Sequence, residues 1–409
     1  MTAIKTSDAP APSAPASDEA SSAAEATRTV QAGELSFCKF LSSNDTGETG
    51  AHQAGIYIPK SASSILFHEP GVKGENKKGR ARIHWPDGTC TESSFTYYGK
   101  GTRDEYRITC FGRGFEYLRP RYTGALFVLC RMDAEDYKAF IFNTEDEING
   151  FLDNFGLSPA DTNVLIGAQP AGNFREIEEI QRFITTLKVN FPDSRTMSAT
   201  ARDIEERVWD HADDAILRPD KKLVEWIRVE YALFKAIEIF RYQPMIEEGF
   251  RDIDEFLAKA LKILNSRKSR AGKSLEHHLT ELFTRNRLLF ETQVRTEGRK
   301  TVDFLFPSAA AYHDEGYSSA HLVSLAAKTT CKDRWRQILN EADRLRDGKK
   351  YLCTLQRGIS SEQLGEMTRE GVVLVVPKPY IKEYPAAFRA DIWTVKKFID
   401  FIRSKNHVK

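Results

Sequence analysis

The pattern of apolar and polar residues changes in character along the chain. Up to about residue 175, Gly and Pro separate short apolar runs such as AGIYIP (54–59), ARIHW (81–85), ALFVLC (125–130) and KAFIF (138–142). Short alternating runs are typical of β-strands, and no long helical pattern interrupts them until the end of this part. The pattern predicts a mainly β domain over residues 34–175, built as a barrel or a sandwich.

Helical spacing of apolar residues appears in the second part of the chain. Leu223 to Phe240 and Ser274 to Phe283 each place apolar side chains on one helical face. Strand-like runs follow at 302–306, 323–328, 351–356 and 371–377, and helices are expected at about 335–346 and 393–403. This alternation predicts an α/β domain with a mixed sheet over residues 188–409. The charged stretch 173–187 is expected to be helical, and the linker is placed at 176–187.

Composition limits the compartment and the kind of site. Residues 1–33 are rich in Ala, Ser, Thr and Pro and lack the features of a secretory signal, so a disordered tail outside both domains is predicted. No apolar run approaches the roughly 18 residues of a membrane span, and no membrane partner is expected. Six cysteines without paired spacing argue against a disulfide framework or a zinc cluster. A reducing compartment, the cytoplasm, is predicted.

Charge is nearly balanced overall but unevenly distributed along the chain. There are 59 Lys and Arg against 58 Asp and Glu, a net charge of +1, which excludes a simple histone-like coat for nucleic acid. Basic residues concentrate at 100–121 and 262–275, and acidic residues at 132–153 and 203–214. A solvated face is the ordinary explanation of each patch. Two basic patches, one per predicted domain, favour contact with phosphate, and the acidic stretches are solvated faces or cover the basic ones.

One apparent nucleotide motif is excluded. AGKS at 271–274 is similar to the end of a phosphate-binding loop, but that motif requires Gly at position 267, which is Arg267. No nucleotide partner is therefore predicted. Ser274 is instead expected to cap a helix, with Glu276 in the first turn.

Three charged residues are candidates for phosphodiester hydrolysis. Asp303 lies on one strand-like run, Lys328 ends the next, and Glu341 follows on the helix expected at 335–346. Carboxylates hold Mg²⁺ through oxygen, and a lysine stabilises the attacking water or the developing negative charge. An Asp and a Lys on neighbouring strands can converge at one sheet edge. The alternative is that Asp303 ends a strand at the surface and Glu341 is a solvated helix position.

Several strings are more specific than this spacing. RKSRAGKSLEHHL, DFLFPSAAAYHD and KTTCKDRWRQILNEAD, within residues 264–345, resemble the catalytic domain of the EcoRII-like branch of PD-(D/E)xK nucleases. SSNDTGETGAHQAGIYIP (42–59) and GTRDEYRITCFGRG (101–114) resemble the amino-terminal effector domain of the same branch. The resemblance covers roughly residues 36–400 and is weak over 145–220. The tail has no counterpart.

The resemblance implies a catalytic set. The acid that the family usually has two residues before the lysine is replaced by Ala326, and in this branch Glu341 supplies it. Asp303, Lys328 and Glu341 are then catalytic, with Mg²⁺ held by Asp303 and Glu341. Glu276 is a plausible fourth carboxylate. Tyr312 matches a tyrosine near the active site, and a packed loop aromatic is its alternative.

The resemblance also implies residues that read DNA. Lys332, Asp333 and Arg334 are expected to contact bases, because Lys and Arg donate to guanine and Asp accepts from cytosine. Their alternative is a solvent-facing helix start. Phosphate or groove contacts are expected from Arg267, Lys268, Arg270 and Lys273. This branch extrudes the central base pair; candidates for stacking on it are Trp226, Arg228 and Tyr231, with core packing as the default for Trp226.

For the first domain the resemblance implies a DNA-binding pseudobarrel. Its DNA-facing positions carry over to His52, Tyr57, Lys100, Arg103, Glu105 and Arg107. Gly101 looks inserted and Tyr106 stands where a Lys is expected, so the recognition loop is expected to be shifted. His52 taken alone is more typical of a satisfied structural histidine.

The resemblance therefore implies a type II restriction endonuclease, of type IIE, in the cytoplasm of a prokaryotic cell. It is expected to be a homodimer that binds two or more copies of a CCWGG-like site, cuts both strands with Mg²⁺, and is autoinhibited until effector DNA binds. Two alternatives remain open: a DNA-binding regulator that keeps a nuclease-like domain for dimerisation, and a structure-specific repair nuclease. The joint presence of Asp303, Lys328 and Glu341 argues against the regulator.

Overall fold

Two β-sheets with separate apolar cores organise the chain. The structure is a computed structural model that describes residues 17–48, 55–167, 173–189, 191–346 and 348–406. In the first part the elements are α1 (Ser17–Ala32), β1 (Leu35–Phe40), β2 (Ile56–Ile58), β3 (Lys77–His84), β4 (Cys90–Tyr98), β5 (Glu105–Thr109), β6 (Leu126–Arg131), β7 (Asp136–Phe142), α2 (Glu145–Phe155) and β8 (Val164–Leu165).

The second part is richer in helix. It consists of α3 (Phe174–Thr186), α4 (Ser194–Trp209), α5 (Asp214–Leu217), α6 (Pro219–Glu248), α7 (Ile253–Arg285), β9 (Glu291–Arg295), β10 (Thr301–Phe306), α8 (Ala309–His313), β11 (Val323–Lys328), β12 (Lys350–Thr354), α9 (Ser361–Arg369), β13 (Val372–Val375) and α10 (Val395–Asn406). No helix among the described residues is long and apolar enough to cross a membrane.

The first sheet confirms that the amino-terminal part is mainly β. Among the described residues its strand order is β2-β5-β4-β3-β7-β6-β1-β8, with β3 and β7 parallel and the other pairs antiparallel. The central strand β6 is buried at every position, because one face packs on the aromatic core around Phe37 and Phe95 while the other packs under α2. A strand covered on both faces reads as a continuous apolar run, as ALFVLC does.

The prediction of a disordered tail is wrong for its second half. Residues Ser17–Ala32 form α1, which packs against the first sheet and α2. Ala26 is fully buried in this contact, and Glu25 accepts a hydrogen bond from Lys138 Nζ at 2.5 Å. An alanine-rich segment can form a helix at little entropic cost, and the sheet supplies the apolar surface that stabilises it. Residues 1–16 lie outside the described residues.

The second sheet confirms the mixed α/β prediction. Its order is β13-β12-β11-β10-β9; β11, β12 and β13 run parallel, and β10 is antiparallel to both β9 and β11. The helix expected over Leu223–Phe240 lies within α6, and the one expected at 393–403 corresponds to α10. α3 covers most of the range predicted as linker, and its Ile180 and Ile184 pack with residues of α4 and α6.

Two local predictions in this part are wrong. Ser274 does not cap a helix, because α7 begins twenty-odd residues earlier, after Asp252, whose side chain accepts from Glu255 N at 2.8 Å. The segment expected to be helical at 335–346 forms two short 3₁₀ turns, Arg334–Asn340 and Asp343–Leu345. Its apolar residues Trp335 and Ile338 are buried as predicted. The helix is interrupted because Thr296 Oγ1 donates to the Glu341 carbonyl at 2.5 Å and Glu297 Oε2 accepts from Asp343 N at 3.0 Å.

Candidate active site and nucleic-acid interface

Asp303 and Lys328 meet between strands β10 and β11. The antiparallel register pairs Phe304 with Leu325, which sets Asp303 beside the end of β11. Asp303 Oδ2 accepts from the Ala327 backbone N–H at 2.8 Å and forms an ion pair with Lys328 Nζ at 3.3 Å. The backbone bond fixes one carboxylate oxygen, while about a third of the Lys328 side chain stays exposed and open to a ligand.

Glu341 belongs to the same electrostatic environment, although it does not lie on a helix. It follows the first 3₁₀ turn after β11. Burial raises the pKa of Glu341 to about 7; the Lys328 ammonium lowers this pKa and the Asp303 carboxylate raises it. The three residues predicted from sequence are therefore brought together at one edge of the sheet.

Glu276 on α7 is the fourth carboxylate of this cluster. Burial raises its pKa, and the negative charge of Asp303 raises it further. Gln293 on β9 joins the two carboxylates: its Nε2 donates to Glu276 Oε2 at 2.9 Å and to Asp303 Oδ1 at 3.2 Å. The sequence analysis did not identify Gln293. The sequence signal that could have indicated Gln293 is its polar side chain next to the buried Val294, on the strand that pairs with β10.

The chemistry of this cluster suits a hard cation. The Asp303 carboxylate raises the pKa values of Glu276 and Glu341, and a divalent ion with oxygen ligands would relieve this accumulation of negative charge. Asp303, Glu341 and Glu276 are the side chains able to hold such an ion. Within the described ranges, however, no group of three or more His, Cys, Asp or Glu side chains is already arranged as a metal site.

Tyr312 lies in a different environment from these residues. Its ring is buried in a small apolar cluster with Val302, Leu305 and Leu345. Its hydroxyl donates to Glu297 and accepts from Arg344 N at 3.3 Å. In this structure Tyr312 is thus a packed aromatic that helps to hold the segment following Glu341, and proximity to the catalytic cluster stays a prediction.

The three residues predicted to read bases contact the start of α2; Lys332 is buried there, whereas Asp333 and Arg334 are exposed. Lys332 Nζ donates to Asn143 Oδ1, and burial lowers the pKa of Lys332 to about 7. Asp333 Oδ2 accepts from Glu145 N at 2.9 Å, and Glu145 Oε2 accepts from Asp333 N at 3.1 Å and Arg334 N at 2.5 Å. The Arg334 guanidinium pairs with Asp146. The acidic stretch 132–153 therefore covers part of the second domain.

The end of α2 covers two of the predicted phosphate contacts. Arg267 donates to the Asn154 carbonyl and forms a bidentate pair with Glu238. Arg270 is buried and donates to the Gly156 carbonyl at 3.2 Å. Gly156 ends α2 in a left-handed conformation (φ +65°), which turns the chain at this contact. The two remaining predicted contacts, Lys268 and Lys273, are exposed on α7.

The residues considered for base stacking have partners within the protein, and Trp226 is buried while Arg228 and Tyr231 are partly exposed. Trp226 is fully buried and stacks on His278 with ring centroids 5.7 Å apart. Arg228 forms a bidentate pair with Glu176 at 2.8 and 2.6 Å. Tyr231 packs on the first domain's core and under the Arg270 guanidinium. Core packing is what the structure shows for Trp226.

Replacing Trp226 with alanine is expected to destabilise the protein by about 3–5 kcal/mol, since a large buried aromatic side chain is removed. Urea unfolding measures this loss. Trp209→Ala is the matched control, because Trp209 is 42% exposed and such a change costs little. Unchanged stability of Trp226→Ala, with only DNA cleavage affected, would contradict the packing role.

The predicted effector residues lie around strands β2 and β5. Tyr57 pairs with Arg107 in the register, and the Arg107 guanidinium forms an ion pair with Glu105 at 3.4 Å. Arg103 is exposed and lies over the Tyr98 ring at 5.3 Å, and Lys100 is exposed in the same loop. His52 lies outside the described residues. Strands β2 and β5 therefore bring together Tyr57, Glu105 and Arg107.

Tyr106 and Gly101, the two positions where this domain differs from the family pattern, have clear structural roles. Tyr106 points to the face opposite Arg107 and packs in the core on Tyr97 and Phe67. Its hydroxyl accepts from Gly71 N at 2.7 Å. Gly101 has φ +64°, a left-handed conformation that favours glycine, and its carbonyl accepts from Lys73 Nζ at 2.9 Å.

Comparison with known proteins gives consistent matches for both parts. The family model for the EcoRII C terminal matches residues 234–399, and that for restriction endonuclease EcoRII, N-terminal, matches residues 30–149. Type II restriction enzyme EcoRII of Escherichia coli is 38% identical over 382 residues, which are 89% of this chain and 92% of that protein. Type II restriction enzyme SsoII of Shigella sonnei is 28% identical over 124 residues, 28% of this chain and 40% of that protein.

Solved structures of restriction enzymes are more distant. Metal-depleted Ecl18kI in complex with uncleaved, modified DNA has a TM-score of 0.45 at 18% identity, covering 57% of this chain and 86% of that one. The complex of restriction endonuclease PspGI with substrate DNA has a TM-score of 0.41 at 15% identity, covering 51% and 92%.

The sequence matches define the class of protein as a DNA-binding restriction endonuclease, an enzyme that cleaves DNA at specific sites. The chain belongs to the EcoRII family of type II restriction enzymes. Membership of this family, which the residue strings predicted, is confirmed.

Proposed function

We propose that this chain is a type IIE restriction endonuclease whose catalytic domain has the PD-(D/E)xK arrangement and uses Mg²⁺. The observation that carries the proposal is the convergence of Asp303, Lys328 and Glu341 at one sheet edge, with Glu276 beside them. Asp303 and Glu341 hold the metal, and Glu276 adds a further carboxylate. When bound, Mg²⁺ supplies neutralisation of the phosphate charge and activation of water.

The side chains of the site divide the remaining work. Lys328 is held by Asp303, so its ammonium is oriented and can donate to a non-bridging phosphate oxygen or the attacking water. Asp303 keeps one oxygen on the Ala327 N–H, which stops its carboxylate from rotating. Water attacks the phosphorus and the bond to the 3′ oxygen breaks, which leaves a 3′-hydroxyl and a 5′-phosphate.

The proposed target is a CCWGG-like site read by Lys332, Asp333 and Arg334. Their donors and acceptors match guanine and cytosine edges, and they follow the strand that ends with Lys328. Arg267, Lys268, Arg270 and Lys273 are proposed to contact phosphates or the groove. Cutting both strands requires two active sites, and a homodimer is proposed to supply them. The enzyme is proposed to act in the cytoplasm of a prokaryotic cell.

Autoinhibition by the amino-terminal domain is supported by the position of α2. Its first turn occupies the proposed base-reading residues through Glu145, and its last turn occupies Arg267 and Arg270 through backbone carbonyls. A single helix and the residue that ends it thus contact both groups of proposed DNA-binding residues. DNA and α2 are proposed to compete for these groups.

The amino-terminal domain is proposed to be a pseudobarrel that binds effector DNA. Tyr57, Lys100, Arg103, Glu105 and Arg107, together with His52, form its proposed contact set. Support comes from the adjacency of Tyr57 and Arg107 on paired strands and from the exposed Lys100 and Arg103 in the neighbouring loop. Its occupation by a second copy of the site is proposed to release α2.

Digestion of a plasmid carrying two CCWGG sites, followed by run-off sequencing of the ends, tests the whole proposal. We expect double-strand cuts at these sites with Mg²⁺ and none with chelator. Absence of any cut would favour the DNA-binding regulator, and scattered cuts would favour a structure-specific repair nuclease. Deletion of residues 1–172, which keeps α3 and its packing on α4 and α6, is expected to raise cleavage of a single-site plasmid, and an unchanged rate would contradict autoinhibition.

A further inference from the structure

Gln293 contacts two carboxylates of the catalytic cluster, and no role has been assigned to it so far. It lies on β9, and its amide is the group that bridges the two carboxylates from different elements, Glu276 on α7 and Asp303 on β10. We propose that Gln293 is a positioning residue for metal binding. Its amide holds the carboxylates of Glu276 and Asp303 at the spacing that the metal ion requires. This inference rests on the proposed function, since it concerns the same metal.

The chemistry of the amide suits this role. A primary amide has two N–H donors on one nitrogen and no net charge, so it can serve two acceptors at once. Two carboxylates brought close together repel each other, and a donor shared between them reduces this repulsion without adding a cation that competes with the metal. The bonded oxygens are Glu276 Oε2 and Asp303 Oδ1, while Asp303 Oδ2 is already held by Ala327 N and Lys328. Both oxygens of Asp303 are therefore oriented before metal binds.

The backbone at Gln293 is a second, independent observation. Its φ is +52°, a left-handed conformation within a strand. The flanking residues pair normally with β10, Val294 with Val302 and Thr292 with Phe304, which sets Gln293 opposite Asp303. A long non-glycine side chain rarely adopts this conformation, and glycine or asparagine would fit the backbone better. The local backbone alone does not favour glutamine here, whereas its reach to two carboxylates does.

Stability and metal binding are therefore expected to change in opposite directions in Gln293→Gly. The glycine relieves the left-handed backbone, so the melting temperature of the full chain is expected to rise. Loss of the shared donor is expected to weaken Mg²⁺ binding, measured by isothermal calorimetry, by roughly tenfold to a hundredfold, as found when partners of metal ligands are removed. Gln293→Met, similar in length but without donors, should weaken Mg²⁺ binding equally with no rise in melting temperature.

Thr292→Gly is the matched control on the same strand. Thr292 is exposed and lies outside the left-handed position, so glycine there should lower the melting temperature and leave Mg²⁺ binding unchanged. Wild-type Mg²⁺ affinity in Gln293→Gly or Gln293→Met would overturn the positioning role while leaving the proposed nuclease function standing. If the wild-type chain neither binds Mg²⁺ nor cuts DNA with it, the proposed function and this inference both fail.

Discussion

Asp303→Asn is expected to lower the rate of DNA cleavage by at least about 10²–10³-fold, the loss typical when one preorganised electrostatic group is removed from an active site. Asparagine has the shape of aspartate and keeps an oxygen for the Ala327 N–H, so the strand pair should stay intact. The variant loses the charge that pairs with Lys328 and that is proposed to hold Mg²⁺. Single-turnover cleavage with excess enzyme measures the effect.

DNA binding by the same variant should be retained. The proposed DNA contacts lie elsewhere, and removing a negative charge near the phosphates does not weaken their attraction to the protein. A gel-shift assay without metal checks this expectation. Asp314→Asn is the matched control. Asp314 is exposed in the connection between β10 and β11, so this variant should cleave DNA like the wild type. Cleavage by Asp303→Asn within about tenfold of the wild type would contradict the site assignment.

Glu145→Ala is expected to raise the cleavage rate of a plasmid with a single recognition site. The Glu145 carboxylate is buried, with 3% of the residue exposed, and it accepts from the backbone of Asp333 and Arg334. Hydrogen bonds to a charged group contribute about 1.5–3 kcal/mol, which is about a tenfold to hundredfold shift in the ratio of closed to open molecules. The rate should rise by up to that factor.

Asp146→Ala provides the comparison for this variant. Asp146 is in the same helical turn and carries the same charge, but its side chain is 78% exposed and pairs with the half-exposed Arg334. Such surface pairs contribute only about 0–1 kcal/mol, so its effect on the rate should be small. Equal activation by the two variants would point to removal of charge in general. No activation by Glu145→Ala would contradict inhibition through this contact.

Much of the candidate site was predictable because it depends on strand order and local strings. The runs containing Asp303 and Lys328 are strand-like in sequence, and antiparallel neighbours bring such residues to one edge. Glu341 reaches the same environment although the helix expected to carry it is absent. The position of Glu341 was predicted from the spacing of apolar residues. That spacing also fits the 3₁₀ turn that forms, in which Trp335 and Ile338 are buried. The competing contacts of Thr296 and Glu297, some forty residues away in sequence, gave no local signal.

The state of the DNA-reading residues was not predictable from local pattern. Lys332, Asp333 and Arg334 look like a solvent-facing helix start, yet their partners Asn143 and Glu145 lie nearly two hundred residues earlier. The signal available in sequence was the acidic stretch 132–153, whose sign is opposite to that of the basic patches. It indicated a possible cover but not which groups pair, because pairing depends on how the two domains pack.

The sequence by itself determined the family, the two-part architecture and the identity of the candidate catalytic side chains. These depend on residue types, on periodicity and on long specific strings, all of which are local. Only the tertiary structure decided that α1 is folded, that Trp226 is core, that Gln293 joins Glu276 to Asp303, and that α2 contacts the proposed DNA-reading residues. Each of these results from contacts between segments distant in sequence, where burial and geometry select a partner that local propensity does not specify.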